Sequence, residues 1–266
     1  MESEGSRLER VLLALPELEL RVNWLNDQFA GSSIGAIAER LDELCARSEA
    51  SEPGAREAML AVVCCVVAQA ESPLVRELRA YADTACLLSL ARLLLTDRHD
   101  RGERSTRHAS LAPQVVADVP DYGAGRELTV GERRTLARRP SRGNIERLLA
   151  DPHPLVIREL LLNTKLTEDD VLRLAARRPA HVIALEALTR STAWLCRPRV
   201  RFAMVQNPGT PLWIAGPLLV LCNRKELSEV VSNTSVSLAL RSTAQELLAL
   251  RPPLRQGGTD PDRALQ

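Results

Sequence analysis

Aromatic residues are nearly missing from this 266-residue sequence: three Trp, two Tyr and two Phe make up 3% of it. A β-sandwich draws on aromatic and β-branched residues for its strands, so the scarcity speaks for packed helices whose cores are filled by Leu, Ala and Val. Lysine is scarcer still. Only Lys165 and Lys225 occur, so almost all of the 35 basic residues are arginine. There is no CxxC pair, and no His stands at ligand spacing from the six cysteines, Cys45, Cys64, Cys65, Cys86, Cys196 and Cys222. Lying in apolar helical patterns, they read as buried reduced thiols, with a disulfide or metal site as the alternative. No secretory signal is visible, because the acidic start MESEGSRLER is followed only by VLLAL before Pro16. The longest apolar run, Ala58 to Ala68, falls short of the roughly 20 residues that cross a bilayer. The expectation is a cytoplasmic protein without membrane insertion.

Net charge is +1, but the halves differ. Residues 1–100 carry 10 Arg against 17 Asp and Glu, whereas residues 101–266 carry 25 Lys and Arg against 17. A basic second half could face nucleic acid, and a general preference for Arg and Ala would look the same.

Helical spacing is present from the start. Leu8, Val11, Leu12 and Leu15 share one face, and Leu18, Val22, Leu25 and Phe29 another, with Trp24 at its edge as a packing residue. Gly31-Ser32-Ser33-Ile34-Gly35 has the letters of a nucleophile elbow but no strand before it, so Ser32 or Ser33 reads as a helix N-cap. Ala55 to Ala70 is apolar nearly all round, as a helix in the middle of a bundle would be. Ser72-Pro73 then supplies a cap and a first-turn proline. From Arg98 to Glu127 periodicity disappears while charge, Pro and Gly accumulate, which reads as a linker. His99, His108 and Gly123-Ala124-Gly125 within it lack the partners of a metal site or a phosphate loop.

The second half repeats itself. DPHPLVIRELLLNTKLTEDDVLRLAARRP at 151–179 is echoed by NPGTPLWIAGPLLVLCNRKELSEVVSNT at 207–234, and LTVGERRTLARRP at 128–140 parallels LTEDDVLRLAARRP at 166–179. Turns at Asp151-Pro152, Arg178-Pro179, Asn207-Pro208 and Asn233-Thr234 fall 27, 29 and 26 residues apart, room for two short helices each. Thr129 with Glu132 and Thr167 with Asp170 have capping-box spacing, and Thr210-Pro211 reads as a cap followed by a first-turn proline. The acids Glu168, Asp169 and Asp170 then complement a helix dipole rather than form a catalytic pair. One such unit cannot bury its apolar face alone, so units of this kind stack.

These motifs, with Val119-Pro120-Asp121-Tyr122-Gly123 and VQNPGTP, resemble a group of uncharacterised bacterial α-helical repeat proteins akin to HEAT, armadillo and leucine-rich-repeat-variant solenoids, over about residues 119–250. The resemblance implies an α-solenoid and carries no catalytic residue. The units are shorter than classical HEAT repeats. The expected architecture is therefore all-α: an N-terminal helical module, either a bundle or diverged repeats, at 1–97, a linker at 98–127, a solenoid of short helix pairs at 128–251 and a disordered tail at 252–266.

No catalytic residue, cofactor or metal ligand is assigned. The expected function is a non-enzymatic scaffold or adaptor binding a protein or peptide through the helical-repeat surface, with nucleic-acid binding or DNA processing by the basic half as the alternative. Candidate contact residues are Trp194, Arg197 and Arg201, standing at i, i+3 and i+7, together with Arg177. Pro198 favours a new helix starting between Trp194 and Arg201, in which case Trp194 plugs a joint between units.

Overall fold

The computed structural model describes residues 4–96 and 119–252. Among them every regular element is a helix, sixteen in all, with no strand. No single helix among the described residues is long and apolar enough to cross a membrane.

Six helices make the first part: α1 (Glu4–Ala14), α2 (Leu18–Gly31), α3 (Ile34–Glu49), α4 (Pro53–Ala68), α5 (Pro73–Ala85) and α6 (Leu88–Leu93). Local chemistry sets their ends. Ser33 caps α3 by accepting from the Ala36 amide at 3.4 Å, and Ser72 caps α5 by accepting from Val75 at 3.2 Å, with Pro73 in the first turn. Helix α4 is apolar on every side from Ala58 to Val67, and all of these residues but the half-buried Leu60 are buried. It packs on α1, α2 and α3, while α3 also supports α5 and α6. The short α6 is held by polar groups of α3: Asp42 accepts from the Leu90 amide at 2.9 Å, and buried Glu49 accepts from Ser89 and from the Arg92 fork at 2.6–2.8 Å.

Ten helices follow: α7 (Val130–Arg138), α8 (Arg142–Leu149), α9 (Pro154–Leu161), α10 (Glu168–Ala176), α11 (Val182–Thr189), α12 (Thr192–Leu195), α13 (Pro198–Gln206), α14 (Leu212–Val220), α15 (Arg224–Ser232) and α16 (Leu238–Leu250). Both expected capping boxes form, at Thr129 with Glu132 and Thr167 with Asp170, and a third forms at Asn223 with Glu226. Burial would push the Asp170 carboxyl up, but the Arg142 fork at 2.6 and 2.7 Å and the Thr167 hydroxyl and amide outweigh it and bring it down to about 2. Two caps are unusual: the Nδ1 atoms of His153 and His181 accept from the Leu155 and Ala184 amides at 3.2 and 3.1 Å. Thr210-Pro211 departs from expectation. Pro211 is itself the cap of α14, and the buried Thr210 hydroxyl instead donates to the Met204 carbonyl at 2.6 Å.

Asparagines bridge one helix end to another. The Asn163 side chain donates to the carbonyls of Ala137 and Arg138 at the end of α7, at 3.1 and 2.7 Å, while its oxygen accepts from the Lys165 amide. Asn207 does the same at the end of α10, donating to Ala175 and Arg177 at 2.7 and 3.0 Å and accepting from Gly209. Asn233 donates to the Gln206 side chain at the end of α13 and accepts from Ser235. Each bond follows a packing contact, since α7 lies on α9, α10 on α13 and α13 on α15.

The buried apolar residues of both parts form one continuous cluster. Helix α4 lies against α11 and α14, and α6 against α14. Arg56 of α4 donates to the Leu221 carbonyl, and Thr192 donates to Glu19 of α2 at 3.1 Å. Of the expected linker, residues 98–118 lie outside the described residues, as does the expected tail beyond Pro252. Residues 119–127 carry no helix, and Tyr122 among them is packed on the core.

The joint between the parts rests on Gly216, where a Cβ would come within 2.7 Å of Leu95 Cβ. Helix propensity alone would make Gly216→Ala stabilising by about 1 kcal/mol. Close packing predicts the opposite, a net loss of about 1–3 kcal/mol in urea unfolding. A raised unfolding midpoint would show that α14 and the segment after α6 are not in close contact.

Candidate functional site

The four residues singled out from the sequence divide into two buried and two exposed. Trp194, on α12, is 7% exposed, and its indole N–H donates to the Leu161 carbonyl at the end of α9 at 2.8 Å. Arg201, on α13, is 8% exposed and donates to the Leu195 carbonyl at 2.6 Å. The chain breaks between them, because α12 ends at Leu195 and Pro198 opens α13, so the i, i+7 stripe does not form. Arg197, in the break, is exposed. Its guanidinium sits 5.1 Å from the Trp194 ring centroid and bonds Glu168 at 2.8 Å. Arg177 is exposed at the end of α10. Trp194 and Arg197 thus meet, with Trp194 plugging the joint of α9 and α12, while Arg201 faces inward.

Arg201 lies among thiols. Burial lowers its affinity for the proton, with Cys222, Cys64, Glu226 and Cys196 placed around it. Burial pushes the Cys64 and Cys65 thiols up to about 12, and Cys222 and Cys45 also rise, so these four are not thiolate nucleophiles at neutral pH.

One constellation has the composition of an active site. Asp151 is fully buried and accepts from the Tyr122 hydroxyl at 2.7 Å, from Arg133 with both oxygens at 2.7 Å, and from the His153 amide at 2.8 Å. Burial and the Asp151 carboxylate push the Tyr122 phenol up, which keeps it a neutral donor. Every bond of the carboxylate goes to the chain itself and none of its surface reaches solvent, so the cluster clips residues 119–127 onto α7 and α8. Nearby His181 is held below 6.5 by burial and by Arg177, against the pull of Asp151, which preserves its Nδ1 as an acceptor. Among the described residues no group of three or more His, Cys, Asp or Glu side chains is placed to hold a metal ion.

Three surface features could not be read from motifs. Apolar side chains stand exposed in the first turns of three helices: Leu155 of α9 at 40%, Val182 of α11 at 38% and Leu238 of α16 at 72%. Trp213 occupies the same place in α14 and is half-buried. Charge on the neighbouring helices is matched in pairs, with Arg142 on Asp170, Arg173 on Glu146, and Arg197 and Arg199 on Glu168 and Asp169. A pocket of about 250 Å³ also opens where the α4–α5 turn meets Glu186, Arg190 and Trp213. It is below the roughly 300–1,000 Å³ usual for ligand sites.

The placement of Trp194 and Arg201 has measurable consequences. Trp194→Ala is expected to cost about 3–5 kcal/mol in denaturant unfolding. Arg201→Glu should cost a similar amount, about 3–5 kcal/mol, since it buries an uncompensated charge. Arg197→Ala should cost less than about 1 kcal/mol, as for an exposed pair. A fold indifferent to Arg201→Glu would contradict its inward placement. Set against known proteins, no protein-family model matches this chain, and no curated protein or solved structure matches it.

Proposed function

We propose that the protein is a non-enzymatic scaffold that binds a protein or peptide, with its second half a short α-solenoid. Two interleaved series of helices support the solenoid, one beginning at Val130, Pro154, Val182, Leu212 and Leu238 and the other at Arg142, Glu168, Pro198 and Arg224. The bridges from Asn163, Asn207 and Asn233 recur in the same sense. The binding reading is carried by the exposed apolar first turns at Leu155, Val182 and Leu238, because solvent-facing apolar groups recurring at one place in a unit give a partner a surface to bury. This rim is a better candidate than the flank of α11 and α14, against which the chain's own α4 and α6 are packed.

Nucleic-acid binding is the weaker reading. Arg142, Arg173, Arg197 and Arg199 already meet carboxylates of a neighbouring helix, so a phosphate backbone would have to displace those partners.

The test is quantitative cross-linking and affinity capture from cells that express the protein, comparing wild type with the Leu155→Glu, Leu238→Glu double variant. Both sites are exposed, so the helical signal and melting midpoint should stay unchanged. A protein captured by wild type and lost by the variant is the expected result. Equal recovery by both, or recovery abolished by nuclease, would overturn the proposal.

A further inference from the structure

A cleft of about 420 Å³ opens between α1, α2 and α3, far in sequence from the apolar first turns of α9, α11 and α16 and built from other helices. Its volume falls within the roughly 300–1,000 Å³ typical of small-molecule sites. The floor is apolar, formed by Leu8, Leu25, Phe29 and Leu41, with Trp24 beside them. Arg7 and Arg40 stand among the lining residues, with the polar groups of Gln28 and Ser32.

Two contrasts with the rest of the chain set this cleft apart. The sequence holds only three Trp, two Tyr and two Phe, yet Trp24 and Phe29 both line this one cavity. Apart from Trp194 at the joint of α9 and α12, the buried apolar residues elsewhere are aliphatic or sulfur-bearing, so two aromatic faces in one cavity are a concentration that the rest of the buried core does not show. Charge is inverted as well. Residues 1–100 carry 17 Asp and Glu against 10 Arg, but the cleft is lined by two arginines and no carboxylate. A concave, low-dielectric site with guanidinium at its edge favours an anion, and an Arg fork matches a carboxylate in two bonds.

We propose that the cleft binds an amphiphilic small-molecule anion, an acyl carboxylate, with the chain laid on the floor against Trp24 and Phe29 and the carboxylate held at the arginine edge. Arg7 is the exposed cation of the pair and the one whose charge the ligand meets from solvent. Gln28 can donate a further hydrogen bond from its amide.

Decanoate titrated into the full-length protein below its micelle threshold, followed by calorimetry, tests this directly. Decyltrimethylammonium, which has the same chain and the opposite head charge, is the comparison. Saturable binding of decanoate at one site is expected, with the cation at least about tenfold weaker, the equivalent of one charge-assisted hydrogen bond. Arg7→Glu should weaken decanoate by about tenfold or more while leaving the helical signal unchanged. Trp24→Ala should weaken both amphiphiles, and Arg158→Glu, an exposed position on α9, should weaken neither. No saturable binding, equal binding of the cation, or Arg7→Glu binding like wild type would each overturn the proposal. Its failure would leave the scaffold reading intact, because the rim variants do not touch this cleft.

Discussion

Short helices end in carbonyls with no partner, and the way this chain satisfies them governs most of its structure. A helix leaves its last four C=O groups unpaired, a cost that weighs most when the helix has only eight or nine residues, as α8 to α11 do. Side chains from other elements supply the donors. Asn163 and Asn207 close the ends of α7 and α10. Arg21 donates to Leu15 after α1, Arg79 to Leu94 after α6, and Arg201 to Leu195 at the end of α12. The last three helices are tied together by Arg251, which donates to Val220 and Cys222, and by Arg224, which donates to Leu248 and Arg251. A guanidinium presents several N–H groups in a fixed fork and can serve two carbonyls at once, which an ammonium does less well. Four of the arginines, Arg56, Arg133, Arg201 and Arg251, are buried in such internal roles.

The same economy explains how the two parts are joined. Helix α4 is apolar all round from Ala58 to Val67, and α14 is buried along nearly its whole length, so each covers part of the other. Gly216 lets the segment after α6 approach α14, and Arg56 reaches across to the Leu221 carbonyl. The first part therefore occupies a flank of α11 and α14 where an open array would leave a groove. The exposed apolar first turns at Leu155, Val182 and Leu238 and the cleft among α1, α2 and α3 lie outside this joint.

Features fixed by neighbours in sequence were legible, and features fixed by distant neighbours were not. The capping boxes at Thr129 and Thr167 need only a residue three positions on, and the all-round apolar stretch after Ala55 already required a central helix. Pro198 rightly marked the start of a helix, and with it the break that separates Trp194 from Arg201. By contrast, Asn163 and Asn207 reach carbonyls 25 to 32 residues earlier, and nothing local distinguishes them from ordinary turn asparagines. The burial of Arg201 depends on Leu195 and on thiols from α4 and the end of α14. The histidine caps are invisible to a rule built on Ser, Thr, Asp and Asn. Trp24 read as packing at the edge of a helical stripe, because its cleft exists only once α1 and α3 close around it.

Asn207 is buried and bonds two carbonyls at the end of α10 while accepting from Gly209. Asn207→Leu keeps the volume and removes the donors, and urea unfolding should show a loss of about 1–3 kcal/mol with an unchanged denaturant slope. Gln245→Leu, an exposed position on α16, serves as the control and should change stability by less than about 0.5 kcal/mol. If Asn207→Leu were no more destabilising than Gln245→Leu, side-chain closure of helix ends would not be what holds these short helices together.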